Sequence, residues 1–140
     1  MATGKRILVI DDDADFRASI RPLLEGEGFT VFEASSGKRG IELLVQHNPD
    51  VIVLDVMMET LEEGYGVNQA VKYQDRYKDF RHIPIIMVSS IAETPLERYP
   101  YAEAVDMIQP NRYMTKPLDI RKFLEVVKVL VHVAPQVSER

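Results

Sequence analysis

Three runs of four uninterrupted apolar residues, Ile7–Ile10, Val51–Leu54 and Ile85–Val88, each end at a polar residue able to do chemistry. Four residues are too few for a buried helix. The absence of a polar residue at every second position excludes a strand with one wet face. What remains is a strand covered on both faces, the signature of a parallel sheet flanked by helices. Two weaker segments complete the set. Thr30–Ala34 carries a polar interruption, as a less buried strand does, and Tyr113–Thr115 is short.

Helical patterns fill the intervals, so the chain alternates strand and helix as βαβ units do. The first helix is expected over Ala14–Glu25, with Phe16, Ile20, Leu23 and Leu24 on one face and Gly26 and Gly28 ending it. Ser36 is the expected N-cap of a second helix carrying Ile41, Leu44 and Val45, stopped at Asn48-Pro49. A third helix is expected over Gly66–Tyr77. A fourth is placed at Tyr101–Ile108, because Pro95 and Pro100 punctuate the segment before it. Asp119 caps a last helix with Phe123, Leu124, Val127, Leu130 and Val131 on its apolar face. Residues 5–132 read as one domain, and 133–140 as a frayed tail.

In an open α/β sheet the carboxyl ends of parallel strands share one crevice, where ligands bind. The strand ends here deliver Asp11 and Asp12, then Asp55, then Ser89, then Lys116 within Tyr113-Met114-Thr115-Lys116-Pro117. Each fragment has a plain explanation when taken alone. Asp-Asp after a strand often caps a helix, and Ser or Lys-Pro after a strand is commonplace. Together, in this order and each at a strand end, they describe an acidic pocket. Neighbouring carboxylates repel by roughly 1 kcal/mol per pair in water, and by more where water is scarce. A cation is therefore expected, and Mg²⁺ suits a small set of carboxylates beside a phosphoryl group.

Other functions are poorly supported. The formal net charge is −5 with scattered basic residues, which opposes direct nucleic-acid binding. There is no Cys, so a disulfide framework is excluded and a cytoplasmic location is expected. No apolar segment approaches the length that spans a bilayer. His47, His82 and His132 lack metal-ligand spacing and read as surface or structural residues.

This set of residues resembles the receiver domain of two-component response regulators, from about Lys5 to Leu130. The resemblance implies a flavodoxin-like, doubly wound sheet of five parallel strands in the order 2-1-3-4-5, with helices on both faces. It implies that Asp55 takes a phosphoryl group from a sensor histidine kinase or a histidine phosphotransfer protein. Asp12 and Asp55 would ligate Mg²⁺ directly, Asp11 through water, and the backbone carbonyl of Met57 would complete the protein's share. Lys116 would neutralise charge on the transferring oxygens, Ser89 would donate its hydroxyl to the acyl phosphate, and Tyr113 matches the family's switch aromatic. Such a protein assists its own phosphorylation and dephosphorylation and is not otherwise an enzyme.

Several features depart from the family pattern. The acidic stretch from Met58 to Gly66 reads as a longer loop than usual and lacks the common Pro. Gln109-Pro110-Asn111-Arg112 replaces Gly-Ala before the last strand, where Asn111 could supply the left-handed conformation. The chain ends about one helix after Lys116, so a stand-alone receiver acting through a downstream protein partner is expected. A piece of a longer regulator with an output domain is the alternative. A receiver kept only as a binding module is opposed by the intact acidic set. Two other classes fit the residues less well. A haloacid-dehalogenase-type phosphatase would use Asp11 and Asp13, but Asp15 stands where Thr or Val belongs and Asp55 has no role. A calcium loop starting at Asp11 puts Phe16 where Gly is needed and Pro22 where Glu is needed. Finally, Val126, Val129 and Val133 lie outside the core stripe of the last helix, an apolar strip that suggests a homodimer or partner contact.

Overall fold

The apolar runs lie side by side in a computed structural model of the protein, which describes residues 4–55, 61–89 and 112–132 and, over 61–65, the backbone alone. The strands are β1 (Arg6–Ile10), β2 (Thr30–Ala34), β3 (Val51–Asp55), β4 (Ile85–Ser89) and β5 (Arg112–Thr115). They form one sheet in the order β2-β1-β3-β4-β5, every neighbouring pair parallel. This is the expected doubly wound topology, with the crossing of strand order between β1 and β3.

Alternation along each strand separates two cores. Leu8, Ile10, Ile52, Leu54, Ile85 and Met87 face one side, with Leu43, Leu44, Val67 and Val71. Ile7, Val9, Val51, Val53, Ile86 and Val88 face the other, with Ile20, Leu24, Phe123, Val127 and Leu130. Side chains of successive strand residues point to opposite faces, so a strand with helices on both sides must be apolar throughout. Every residue of β3 and β4 is buried, whereas the edge strands β2 and β5 are only partly covered.

The helices are α1 (Ala14–Gly26), α2 (Gly37–His47), α3 (Leu61–Tyr73) and α4 (Ile120–Leu130). The expected caps are in place. The Ser36 side chain accepts from the Arg39 N–H, and Asp119 from the Lys122 N–H. Asn48 closes α2 in the left-handed conformation at φ 46°.

Three expectations need correction. The third helix starts at Leu61 rather than Gly66, so Leu61–Gly66 belong to a helix and not to a long loop. It also stops at Tyr73, where Gln74 turns extended, and a 3-10 segment, Asp75–Phe80, follows. The run Tyr73–Arg76 is exposed and has nothing to bury, and the tighter turns return the half-buried Phe80 to the core. On α1, Leu23 lies at the surface while Ile20 and Leu24 carry the packing. On α4, Val129 is exposed and Val126 partly so while also touching the core, in keeping with their place outside the core stripe. The helix expected over Tyr101–Ile108, Met57, Asn111, Val133 and the tail lie outside the described residues.

α2 lies close against β1 at Gly40. A Cβ there would come 2.4 Å from Cδ1 and 2.8 Å from Cγ1 of the buried Ile10. Alanine would gain about 1 kcal/mol of helix propensity. It would also force Ile10 out of a full core, at about 1–3 kcal/mol. Gly40→Ala is therefore expected to lower stability by about 1 kcal/mol in urea denaturation, with Ile10→Val restoring part of the loss.

Candidate functional site

The register sets the site level by level. Ile10 pairs with Leu54, so Asp11 and Asp55 leave their strands side by side. Asp55 lies opposite Val88, and Ser89 opposite Thr115, so Ser89 and Lys116 are the next steps outward. Backbone bonds extend the ladder past the strands. The Asp11 N–H donates to the Ala34 carbonyl at 3.0 Å, and the Lys116 N–H to the Ser89 carbonyl at 2.6 Å.

Carboxylate oxygens of Asp11, Asp12 and Asp55 lie within 4.8 Å of one another. Asp11 and Asp55 are buried and Asp12 is exposed. The Lys116 ammonium reaches Asp11 Oδ2 at 2.9 Å and Asp55 Oδ1 at 3.8 Å. Three carboxylates against one ammonium leave a formal charge of −2. Three hard oxygen donors gathered this closely and the residual charge suit a small divalent cation.

Asp11 is held at every polar atom. Its Oδ1 accepts the Asp13 N–H at 2.9 Å, its Oδ2 accepts Lys116, and its carbonyl accepts Arg17 Nη1 at 2.5 Å. Arg17 is held in turn by Glu33 on β2, Nε to Oε1 at 2.9 Å, and Arg21 pairs with the other Glu33 oxygen at 2.6 Å. The Arg21 hydrogen bond, assisted by Arg17, keeps the Glu33 carboxyl below the usual range against the opposing effect of burial. Arg17 and Glu33 were not singled out by the sequence. They stand 16 residues apart, and only the docking of α1 on β2 brings them together.

The remaining expected residues are placed as follows. Ser89 is buried at the end of β4. Tyr113 is half-buried on β5, packed on the core that contains Leu54 and Met87. Asp13 caps α1, accepting from the Asp15 and Phe16 N–H groups, which removes it from any paired-carboxylate role. Among the described residues no histidine joins a group of three metal-ligating side chains. His47 stacks on Phe32 at 3.9 Å, and burial lowers the pKa of His82.

This sheet order with this cluster defines a receiver domain, and the comparison with known proteins agrees. Residues 7–128 match the response regulator receiver domain family, so the chain belongs to that family. It is thus a receiver of two-component phosphorelay signalling. It is 32% identical over 126 residues to the DNA-binding dual master transcriptional regulator RpaA of Synechocystis sp., covering 90% of this chain and 48% of that protein. It is 27% identical over 124 residues to the polar-differentiation response regulator DivK of Brucella ovis, covering 89% of this chain and 94% of DivK. The chain thus spans about half the length of the first relative and nearly all of the second. Among solved structures, the receiver domain of the Francisella response regulator 1452 superposes with a TM-score of 0.73 at 26% identity, covering 91% of this chain and 97% of that one. Chemotaxis response regulator CheY4 of Vibrio cholerae, at 24% identity and a TM-score of 0.72 over 91% of this chain and 99% of that one, shares the fold.

Proposed function

We propose that Asp55 is the phosphoacceptor, taking a phosphoryl group from a phosphohistidine on a sensor histidine kinase or a histidine phosphotransfer protein. The observation that carries this reading is the Asp11, Asp12 and Asp55 group within 4.8 Å, with the Lys116 ammonium 2.9 Å from Asp11 and 3.8 Å from Asp55. An oxygen of Asp55 attacks phosphorus, the P–N bond breaks, and the imidazole leaves with its electron pair. Lys116 neutralises charge as it moves onto the phosphoryl oxygens, and Ser89 offers its hydroxyl to them, so positioning and electrostatics do the catalytic work. Asp12 and Asp55 would hold Mg²⁺ directly and Asp11 through water, and Met57 would add its carbonyl. When bound, the ion supplies further positive charge to the same oxygens.

On this reading the protein is a phosphoacceptor that assists its own phosphorylation and dephosphorylation, not an enzyme acting on other substrates. Among the described residues no helix is long and apolar enough to cross a membrane. Together with the lack of Cys, this supports a place in the cytoplasm, where phosphohistidine is made from ATP. Output passes to a downstream protein partner. With Mg²⁺ and acetyl phosphate, intact mass should show one added phosphoryl group, stable in acid and lost to hydroxylamine. No mass gain, or a gain unaffected by chelating Mg²⁺, would sink the reading.

Contact between two copies through α4 has the exposed Val129, and Ile120 at the start of the helix, to offer among the described residues. Sedimentation with and without beryllofluoride, a phosphoryl mimic, should show self-association in the mimic-bound state, weakened by Val129→Ser. An unchanged monomer in both states assigns α4 no role in dimerisation.

A further inference from the structure

The Lys116 ammonium has a third neighbour besides Asp11 and Asp55. It stands 4.2 Å from the centroid of the Phe16 ring. The face of an aromatic ring carries partial negative charge and attracts a cation within about 6 Å. The ring also presents a surface that makes no competing hydrogen bond, so the ammonium protons are directed to the two carboxylates.

Phe16 is itself firmly placed. Its N–H donates to the Asp13 cap at 3.2 Å, and its carbonyl accepts the Ser19 hydroxyl at 2.7 Å. Its ring packs on the core beneath α1 and α4. The Asp13 N–H in turn holds Asp11 Oδ1 at 2.9 Å. One turn of chain, from Asp11 to Phe16, thus brings a carboxylate and an aromatic face to the same lysine.

We infer that Phe16 is the positioning residue of Lys116, confining its ammonium between Asp11 and Asp55 before a phosphoryl group arrives. A lysine side chain has four carbon–carbon bonds to order, and ordering it in advance removes that entropy from the transfer step. The inference rests on the proposed role of Lys116 and goes beyond it, because the Phe16 ring has no atom that could ligate an ion or donate to a phosphoryl oxygen.

Two measurements test it. In the metal-free protein, the Lys116 Hε resonances, assigned by their loss in Lys116→Ala, should be displaced upfield by the ring. They should return toward ordinary lysine values in Phe16→Leu and Phe16→Met and stay displaced in Phe16→Tyr. With acetyl phosphate and Mg²⁺, Phe16→Leu and Phe16→Met should label roughly 3–10-fold more slowly, while Phe16→Tyr labels within about twofold of the native rate. In a Lys116→Ala background the same Phe16 changes should have less than about a twofold effect. Equal slowing with and without Lys116 would assign Phe16 a merely structural role and overturn the inference, as would unshifted Lys116 Hε resonances in the native protein. If the native protein takes up no phosphoryl group, the assignment of the site fails, and the resonance measurement still decides whether the ring holds the lysine.

Discussion

Asp55→Asn should reduce phosphoryl uptake from acetyl phosphate by on the order of 10³-fold or more, to the background of the assay. The substitution keeps the size of the side chain but exchanges a carboxylate for an amide whose oxygen is a poor nucleophile. Asp55 ends the fully buried strand β3 and is itself 4% exposed, beside the equally buried Asp11. No second carboxylate can take its place: Asp11 is engaged at both oxygens by the Asp13 N–H and Lys116. Asp12 is in reach but exposed, where water competes for an incoming donor. The same substitution removes one of the three carboxylates that suit a divalent ion. The native protein should gain stability with Mg²⁺ as RT ln(1 + [Mg²⁺]/Kd), and Asp55→Asn should lose most of that gain. Thermal unfolding at increasing Mg²⁺, run beside the labelling assay, measures both effects. Labelling that persists in Asp55→Asn would move the nucleophile elsewhere in the pocket.

The site was legible because its parts sit where the sequence is simplest. A strand covered on both faces admits no polar residue, so the first polar residue after Ile10, Leu54 and Val88 marks the sheet edge and the crevice together. Helix caps were legible for a similar local reason, since Ser36 and Asp119 act on N–H groups only three residues away. The start of α3 was not. Leu61-Glu62-Glu63-Gly64-Tyr65-Gly66 carries two glycines and two acids and reads as a loop, yet the backbone is helical. Local propensity is a weak guide where Val67 and Val71 pull the whole segment onto the sheet. The supports of the site were hidden for another reason. Phe16 and Lys116 are a hundred residues apart, and Arg17 meets Glu33 only when α1 docks on β2. A single sequence carries the chemistry of a strand end but not the pairing of side chains across elements.

Lys116→Ala should separate phosphorylation from switching. Moving a two-state equilibrium from 1% to 99% on requires about 5.5 kcal/mol of differential interaction. A hydrogen bond to a charged group contributes about 1.5–3 kcal/mol, so the Ser89 hydroxyl alone falls short, and Ser89 with Lys116 reaches the range. With Lys116 gone, Ser89 alone would leave the on state at roughly 10–60%. The structure makes this lysine a suitable second contributor. Its ammonium already stands 3.8 Å from Asp55, and its own N–H is tied to the Ser89 carbonyl at 2.6 Å. A phosphoryl group on Asp55 adds charge and acceptor oxygens within reach of both residues. If Ser89 moves inward to meet them, the half-buried Tyr113, one strand over and three residues before Lys116, is the ring that takes up the change. The chain has no Trp, so the Tyr113 ring resonances, assigned through Tyr113→Phe, are the readout. Beryllofluoride should shift them fully in the native protein and only partly in Lys116→Ala, while the variant still accepts a phosphoryl group slowly. A full Tyr113 response in Lys116→Ala would show that Ser89 and the ion suffice, and that the lysine serves the transfer step alone.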